Sequence, residues 1–130
     1  MRKPQHEIAI ALVHRDDEWL VARRRLTAHL GGLWEFPGGK CRPDETLPAA
    51  ALRELREECA VEAEAERVLA AVTCEYDDRV VRITPVVCRW TAGEPAPLAS
   101  DVCRWVTGAV LRQLEMPAVN AGIIRAALSD

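Results

Sequence analysis

The first 40 positions carry three short apolar segments separated by polar breaks. Residues 8–13 form an apolar run, residues 18–22 carry three large apolar side chains, and the polar residues 14–17 between them are typical of a hairpin turn. Residues 33–36 alternate apolar and polar side chains and stop at the Pro-Gly-Gly sequence of 37–39. The pattern predicts a β-hairpin, followed by a short strand that enters a glycine turn.

A helix and further strands are predicted in the rest of the chain. Thr46 can cap a helix that runs to about Glu58, and Pro48 is tolerated in its first turn. Two longer strands, a short strand and two closing helical segments follow at residues 61–74, 79–90, 103–106, 109–114 and 119–128, with a turn at 77–78 and a loop at 93–97. The mixture of strands and helices predicts the α/β (α+β) fold class.

Length and composition fit a single domain that spans residues 1–130. A hydrophobic fraction of 49% and a charged fraction of 28% are those of an ordinary soluble protein, and no repeat or linker interrupts the chain. A net charge of -3 offers no basic surface to a nucleic-acid backbone, and the four tryptophans are too dispersed to form a stacking platform. We therefore expect no nucleic-acid partner.

The cysteines and the amino terminus bear on the cellular compartment. Five cysteines are scattered along the chain without a C-x-x-C pair, which is typical of a reducing cytoplasm rather than a disulfide framework. The first seven residues contain no apolar signal core, and no apolar stretch approaches membrane-spanning length. We expect a cytoplasmic protein with no membrane partner. The sequence leaves open whether it is a monomer or a homodimer.

The predicted helix carries an unusual concentration of acidic residues on one face. Glu54, Glu57 and Glu58 fall within an arc of about 100°. Like charges spaced four residues apart, such as Glu54 and Glu58, each cost a helix roughly 0.2–0.5 kcal/mol, and Arg53 can offset Glu57 at that spacing. A hard divalent cation would offset all three carboxylates, because Mg²⁺ prefers carboxylate and phosphate oxygens.

A helix that reads R-E-L-R-E-E is, taken alone, most often a solvated face held by ion pairs. The surrounding sequence favours a ligand site instead. The helix is preceded by a strand, by the glycines of 38–39 and by a loop that ends at Glu45. Glycines allow a backbone to approach a ligand closely. Loop and helix are therefore expected to converge on one concave acidic site.

This segment resembles the signature of the Nudix hydrolases. Gly39, Glu45 and the run at 53–61 match eight of the nine defined positions of G-x5-E-x7-R-E-U-x-E-E-x-G-U, over 23 residues at fixed spacing. The resemblance implies the Nudix fold, in which a mixed, curved β-sheet lies between helices. The single departure is Ala60, where the family has glycine. A left-handed conformation there would cost roughly 1–2 kcal/mol, so we expect reduced stability rather than lost chemistry.

The resemblance also implies a metal site. Its ligands would be the carboxylates of Glu54, Glu57 and Glu58, assisted by the backbone carbonyl of Gly38 or Gly39. The cofactor would be Mg²⁺, with Mn²⁺ as a possible substitute. Bound Mg²⁺ shields the phosphoanhydride from its own charge and stabilises the leaving pyrophosphate.

Three further roles come with the same resemblance. Arg53 would orient the glutamates through ion pairs, and Glu45 would support the loop. A carboxylate must accept the proton of the attacking water, and among Glu54, Glu57 and a residue outside the signature we favour Glu57.

Outside the signature the chain is similar to the MutT-like branch, which includes the CTP pyrophosphohydrolases. The likeness covers residues 23–40, the hairpin at 75–79 and the segment at 117–120, and it is loose after Val61. By this resemblance, seven residues are candidate substrate contacts: Arg24, His29, Phe36, Tyr76, Arg79, Asp101 and Asn120.

Each of these candidates has a simpler interpretation. Arg24 suits phosphate geometry but is equally a charge on an exposed strand, and His29 is typical of a solvated loop histidine. Phe36 and Tyr76 would form apolar walls for a base, or belong to the core. Arg79 is assigned only by the likeness of its hairpin.

The two carboxyl-terminal candidates, Asn120 and Asp101, also have to be weighed against simpler interpretations. The amide of Asn120 offers a donor and an acceptor to a base edge, as the matching asparagine of MutT does for oxidised guanine, but asparagine also caps helices. Asp101 lies four residues before Trp105, where some relatives carry an acid that contacts the purine. Arg104 replaces a glutamate of MutT, which weakens an exact transfer of the MutT assignments at that position.

The function implied is Mg²⁺-dependent hydrolysis of a nucleoside triphosphate to a monophosphate and pyrophosphate. Oxidised nucleotides such as 8-oxo-dGTP are the leading substrate class. CTP, dCTP or modified cytidine nucleotides are the alternative. A hypothesis of another class is a non-catalytic Nudix domain that only recognises a nucleotide. Such domains tend to lose the glutamates that this chain retains.

Overall fold

The computed structural model describes residues 2–129. It contains eight strands and three helices: β1 (Gln5–Arg15), β2 (Glu18–Arg23), β3 (Trp34–Glu35), β4 (Gly38–Lys40), α1 (Leu47–Cys59), β5 (Glu62–Val68), β6 (Val72–Glu75), β7 (Val80–Ala92), β8 (Val102–Thr107), α2 (Gly108–Leu111) and α3 (Asn120–Leu128).

The amino-terminal hairpin forms as predicted. β1 and β2 pair in antiparallel register, with Arg15 opposite Glu18. The two residues between them, Asp16 and Asp17, have φ values of 48° and 68°. Two successive residues with positive φ match the right-handed twist of the paired strands, and aspartate is among the residues that tolerate this conformation.

All eight strands belong to one mixed sheet. Its main order is β3-β2-β1-β7-β5, while β4 pairs with β1, β6 with β7 and β8 with β2. β1 and β7 run parallel over ten residue pairs, and the other pairings are antiparallel. The long parallel pair therefore forms the centre of the sheet.

Side chains that alternate along β1 fill two separate cores. Ala11 and Val13 pack with Leu55 of α1 on one face of the sheet. Leu12 packs with Leu111 of α2 and Ile123 of α3 on the other face. Because a strand sends successive side chains to opposite faces, one apolar run supplies both cores. The sheet thus lies between helices, which confirms the predicted fold class.

Two predicted elements of the sheet differ from the structure. The glycines of 38–39 do not make a turn: they lie in β4, where Gly38 is opposite Ile10 of β1. A Cβ at Gly38 would lie 2.4 Å from the carbonyl oxygen of Ala9, so only glycine allows this approach. The single strand expected at 61–74 is divided into β5 and β6, which pair with successive parts of the long β7.

The acidic helix begins and ends as its sequence indicates. The Thr46 side chain accepts a hydrogen bond from the backbone N–H of Ala49 at 3.2 Å, and Pro48 lies in the first turn. The helix ends at Ala60, whose φ of 59° and ψ of 32° are left-handed. The expected strain at this non-glycine position is therefore present. α2 is shorter than the helix expected at 109–114.

None of the helices formed within residues 2–129 combines the length and the apolar character needed to cross a membrane.

Candidate functional site

The polar face of α1 lies against the glycines of β4. A Cβ at Gly39 would lie 2.6 Å from the carboxyl carbon of Glu54 and 2.7 and 2.8 Å from its two oxygens. The backbone N–H of Gly38 donates to Oε1 of Glu58 at 3.3 Å. Gly39 is therefore required at this place because its missing side chain gives the Glu54 carboxylate room beside the sheet, while Gly38 contributes its backbone N–H to Glu58.

Arg53 holds the acidic residues in place from one side. Its Nε and Nη2 donate to the two carboxylate oxygens of Glu45 at 2.7 and 2.9 Å, a bidentate pair. Its Nη1 donates to Glu54 at 2.9 Å and to Glu57 at 3.1 Å. Nη2 also donates to the backbone carbonyl of Lys40 at 3.1 Å. One guanidinium thus connects the loop, the helix and β4.

The loop carboxylate is strongly stabilised in its charged form. The side-chain hydrogen bond from Arg53, followed by the backbone N–H of Arg42, lowers the pKa of Glu45 to about 2. The same ion pair raises the pKa of Arg53. Both side chains are nearly buried, with 12% of Glu45 and 13% of Arg53 exposed. The structure therefore places Glu45 where the sequence expected a support for the loop.

Glu58 has the opposite electrostatic environment. Burial is the largest cause that raises its pKa, to about 8, followed by a side-chain hydrogen bond shared with Glu54, while the N–H of Gly38 acts to lower it. Two carboxyl groups confined together share a proton unless a cation balances their charge. Their oxygens are the hard donors that Mg²⁺ prefers, so this pair fits a divalent cation.

Glu57 lies at the rim of this cluster. Its side chain is 51% exposed and is paired with Arg53 rather than with the other two glutamates. Across residues 2–129, no three acidic, histidine or cysteine side chains converge closely enough to form a ready-made metal cage. The structure therefore brings Glu54 and Glu58 together and leaves Glu57 on the neighbouring part of the same helix face.

A cavity of about 320 Å³ opens beside the acidic cluster. Gly38 belongs to both the cavity and the acidic cluster, because it lines the cavity and its backbone N–H donates to Glu58. The walls are mostly apolar and come from β1, β6, β7 and the segment before α3; they include Ile8, Ile10, Val81, Ile83, Pro117 and Val119. A concave apolar site with few polar groups is typical of small-molecule binding.

Four of the seven candidate substrate residues line this cavity: Arg24, Phe36, Tyr76 and Asn120. Phe36 is 5% exposed and belongs both to the cavity lining and to the core beneath the sheet. Tyr76 is 47% exposed at the cavity wall. Arg24 donates through Nη1 to Glu35 at 2.9 Å and through Nε to the carbonyl of His29 at 2.8 Å.

The other three candidates are not part of the cavity lining. The side chain of His29 lies outside, and only its carbonyl contributes, by accepting from Arg24. Arg79 stacks over the ring of Tyr76, with its guanidinium carbon 4.5 Å from the ring centre. The exposed Asp101 donates its backbone N–H to the carbonyl of Arg23 at 3.1 Å. The positions of these three residues therefore do not support direct contacts with a ligand in the cavity.

Asn120 is the principal polar side chain from the carboxyl-terminal segment. It is 8% exposed and is the first residue of α3, while Val119 occupies the cap position without a side-chain hydrogen bond. The capping interpretation of Asn120 is therefore wrong. Its amide nitrogen is 3.7 Å from the sulfur of Met116, a weak acceptor. The amide lines the cavity with most of its hydrogen-bonding capacity unused.

Glu35 is a cavity residue that the sequence analysis did not identify. It lies on β3, is 28% exposed, and accepts from Arg24. Its charge also contributes to raising the pKa of Glu58, which places it near the acidic cluster. The only feature of the sequence that could have indicated a role for Glu35 is its position three residues before the glycines of β4.

The fold and the site define a mixed α/β domain with a carboxylate cluster beside a ligand-sized cavity. A family model described as the NUDIX domain matches residues 8–126. The chain therefore belongs to the NUDIX family.

Relatives and solved structures agree with this family. The chain is 39% identical over 77 residues to a CTP pyrophosphohydrolase of Escherichia coli, covering 59% of this chain and 57% of that protein. It is 35% identical over 83 residues to an 8-oxo-dGTP diphosphatase of Proteus vulgaris, covering 64% and 74%. The matched region thus spans just over half of the first relative and about three quarters of the second.

The fold is likewise shared with solved structures. The E. coli ORF135 protein superposes with a TM-score of 0.80 at 27% identity, covering 95% of this chain and 89% of that one. A MutT protein from Methanosarcina mazei superposes with a TM-score of 0.83 at 23% identity, covering 98% and 95%. The second likeness concerns the fold alone.

Proposed function

We propose that the protein is a Mg²⁺-dependent nucleoside triphosphate pyrophosphohydrolase that acts on oxidised nucleotides such as 8-oxo-dGTP. The observation that carries the proposal is the shared use of Gly38, which joins the crowded pair Glu54 and Glu58 to a cavity of about 320 Å³. A triphosphate whose base occupies the cavity extends its phosphates toward the carboxylates. The relatives named as diphosphatases and pyrophosphohydrolases support the same reaction.

Glu54 and Glu58 would hold the cation, with Glu57 and a carbonyl of Gly38 or Gly39 completing the ligands. When bound, Mg²⁺ supplies charge neutralisation to the phosphoanhydride and to the leaving pyrophosphate. Arg53 is a positioning residue, because its hydrogen bonds to Glu54 and Glu57 fix the direction of both carboxylates.

We assign Glu57 as the acceptor of the proton from the attacking water. Its carboxylate is half exposed and reaches solvent, whereas Glu54 is only 16% exposed and is confined by Gly39. A general base must lie within hydrogen-bond reach of its proton, directly or through one water. The exposure of Glu57 at the rim of the cluster leaves room for a water within that reach.

The base would be read by Asn120 and enclosed by Phe36 and Tyr76. A buried amide with free donor and acceptor capacity discriminates between base edges, since a mismatched base leaves it unpaired. Oxidised guanine differs from guanine in its pattern of donors and acceptors, so an amide is a suitable reader. The similarity to a CTP pyrophosphohydrolase favours cytidine triphosphates as the second candidate.

The test is a panel of triphosphates ranked by kcat/KM in the presence of Mg²⁺, with 8-oxo-dGTP, dGTP, CTP and dCTP as members. We expect one pyrophosphate per monophosphate and the highest kcat/KM for 8-oxo-dGTP. Glu57→Gln should abolish turnover while nucleotide binding persists. Glu64→Gln, an exposed carboxylate on β5, is the matched control and should behave as the wild type.

The outcomes separate the alternatives. A preference for CTP or dCTP would replace the substrate while keeping the reaction. Nucleotide binding without pyrophosphate release by the wild type would support a recognition domain and overturn the enzymatic proposal.

A further inference from the structure

Two of the five cysteines face each other across the interior. Sγ of Cys103 lies 3.1 Å from Sγ of Cys59. Other thiols have oxygen partners: Cys41 donates to the carbonyl of Glu45 at 3.2 Å, and Cys88 to that of Val86 at 3.4 Å. All five are free thiols. The scattered pattern in the sequence therefore hides one close pair, brought together over 44 positions.

The two members of the pair differ in access. Cys59 is the last residue of α1 and is 1% exposed. Cys103 lies on β8 opposite Ala22 of β2 and is only partly buried. Both positions belong to ordered elements that pack on the same core, so the two sulfurs are held together rather than meeting through loop motion. A small oxidant reaches Cys103 first.

We propose that Cys59 and Cys103 form an oxidation site, which a hydroperoxide converts to a disulfide between α1 and β8. In the first step the sulfur of Cys103 attacks one oxygen of the peroxide, the O–O bond breaks, and a sulfenic acid and water result. In the second step the sulfur of Cys59 attacks the sulfur of Cys103. The S–S bond forms, the S–O bond breaks, and the oxygen leaves as a second water that carries the proton of Cys59.

In total, two thiols and one molecule of hydrogen peroxide give one disulfide and two molecules of water. The hydrogen-bonding contact with the Cys59 side chain holds the pKa of Cys103 below its ordinary value, which favours Cys103 as the attacking group. The sulfurs must approach from 3.1 Å to about 2.05 Å, a movement of roughly 1 Å.

The disulfide would stabilise the end of the acidic helix. Cys59 directly precedes Ala60, the left-handed residue that stands where the family has glycine. A cross-link at this point restricts the unfolded chain over the 44 positions between the two cysteines. We therefore expect oxidation to raise the melting temperature by several degrees, and a thiol reductant to reverse the rise.

The experiment treats the full chain with a small excess of hydrogen peroxide and follows mass, peptide pairing and melting temperature. We expect a loss of about 2 Da, a cross-linked peptide that contains both Cys59 and Cys103, and a melting temperature that returns to its original value with dithiothreitol. Cys103→Ser, and separately Cys59→Ala, should remove the mass loss and the thermal shift. Cys41→Ser is the matched control and should retain both.

The readouts need neither metal nor nucleotide, so they are independent of the proposed function. A wild-type protein that gains oxygen mass without the cross-linked peptide would overturn the proposal. So would a cross-link that persists in Cys103→Ser. If Cys59→Ala fails to fold, the peptide map of the wild type and the partly exposed Cys103→Ser variant still decide the question.

Discussion

The acidic cluster and the nucleotide-sized cavity lie side by side but are built in different ways. The cluster comes from a short stretch, 38–58, in which β4, one loop and one helix bring five interacting charges together. The cavity is assembled from segments far apart in the chain, near residues 8–10, 24–38, 74–83 and 117–120. Local sequence therefore specifies the proposed chemistry, while the proposed selectivity depends on long-range packing. Substitutions in the two regions should consequently have separable effects.

The largest effect is expected at the acidic cluster. Glu58→Gln removes one of the two partly buried carboxylates, and we expect kcat to fall by about a thousandfold, because metal-supplied charge stabilisation is worth several kcal/mol. Without metal, the melting temperature should stay equal or rise, since the variant relieves the repulsion between Glu54 and Glu58. Turnover assays and thermal melts in a chelator measure the two effects. Near wild-type turnover would remove Glu58 from the metal site.

A smaller and different effect is expected in the cavity. Asn120→Ala should lower kcat/KM for 8-oxo-dGTP by about 10- to 100-fold, the range expected when a buried polar partner of about 1–3 kcal/mol is lost. The ratio between 8-oxo-dGTP and dGTP should shrink as well. Asn120→Asp is a useful comparison because it keeps the shape and changes the hydrogen-bonding pattern. Equal losses for every nucleotide would show that Asn120 supports the fold rather than the base.

The ion pair between Glu45 of the loop and Arg53 of the helix should make the stability of the protein depend on pH. Because Glu45 has a pKa of about 2 in the folded chain, below its ordinary value of 4.5, its ion pair stabilises the protein above pH 4.5. That contribution is lost as pH falls from 4.5 through 2. The difference in melting temperature between wild type and Glu45→Gln should therefore be largest above pH 5 and narrow below pH 4. A constant difference would contradict the assigned pair with Arg53.

The smallest effect is expected at the end of the helix. Ala60→Gly relieves a left-handed alanine at φ 59° and should raise stability by about 1 kcal/mol, a few degrees in melting temperature. Turnover should not change, because Ala60 brings no polar group to the site. Ala49→Gly, at an exposed position in the first turn of the same helix, is the control and should lower the melting temperature. A large gain in activity for Ala60→Gly would show that the helix end also controls the metal site.

Much of the local structure followed from the sequence alone. The hairpin turn within residues 14–17 and the cap at Thr46 were predicted because each depends on a few neighbouring residues, and the helix expected to run to about Glu58 ends at Cys59. The glycines at 38–39 were predicted as a turn and are a strand. Glycine's freedom was correctly identified, but its use, a close approach of two backbones and a carboxylate, depends on partners elsewhere in the chain.

The cavity shows where sequence patterns stop being sufficient. Arg24, Phe36, Tyr76 and Asn120 line it, whereas the other three candidates do not, and nothing local distinguishes the two groups. Whether Asn120 caps a helix or lines a cavity depends on where α3 begins, and its sequence alone is compatible with either position.

By itself the sequence determined most of the order of elements, the acidic helix face and the pairing of Arg53 with Glu57, because these depend on helical spacing and short loops. Only the tertiary structure decided which carboxylates share a confined space, which amide lines the cavity, and which two of five thiols meet. Each of those outcomes depends on burial and on contacts between distant segments, and a pattern of neighbouring residues does not contain that information.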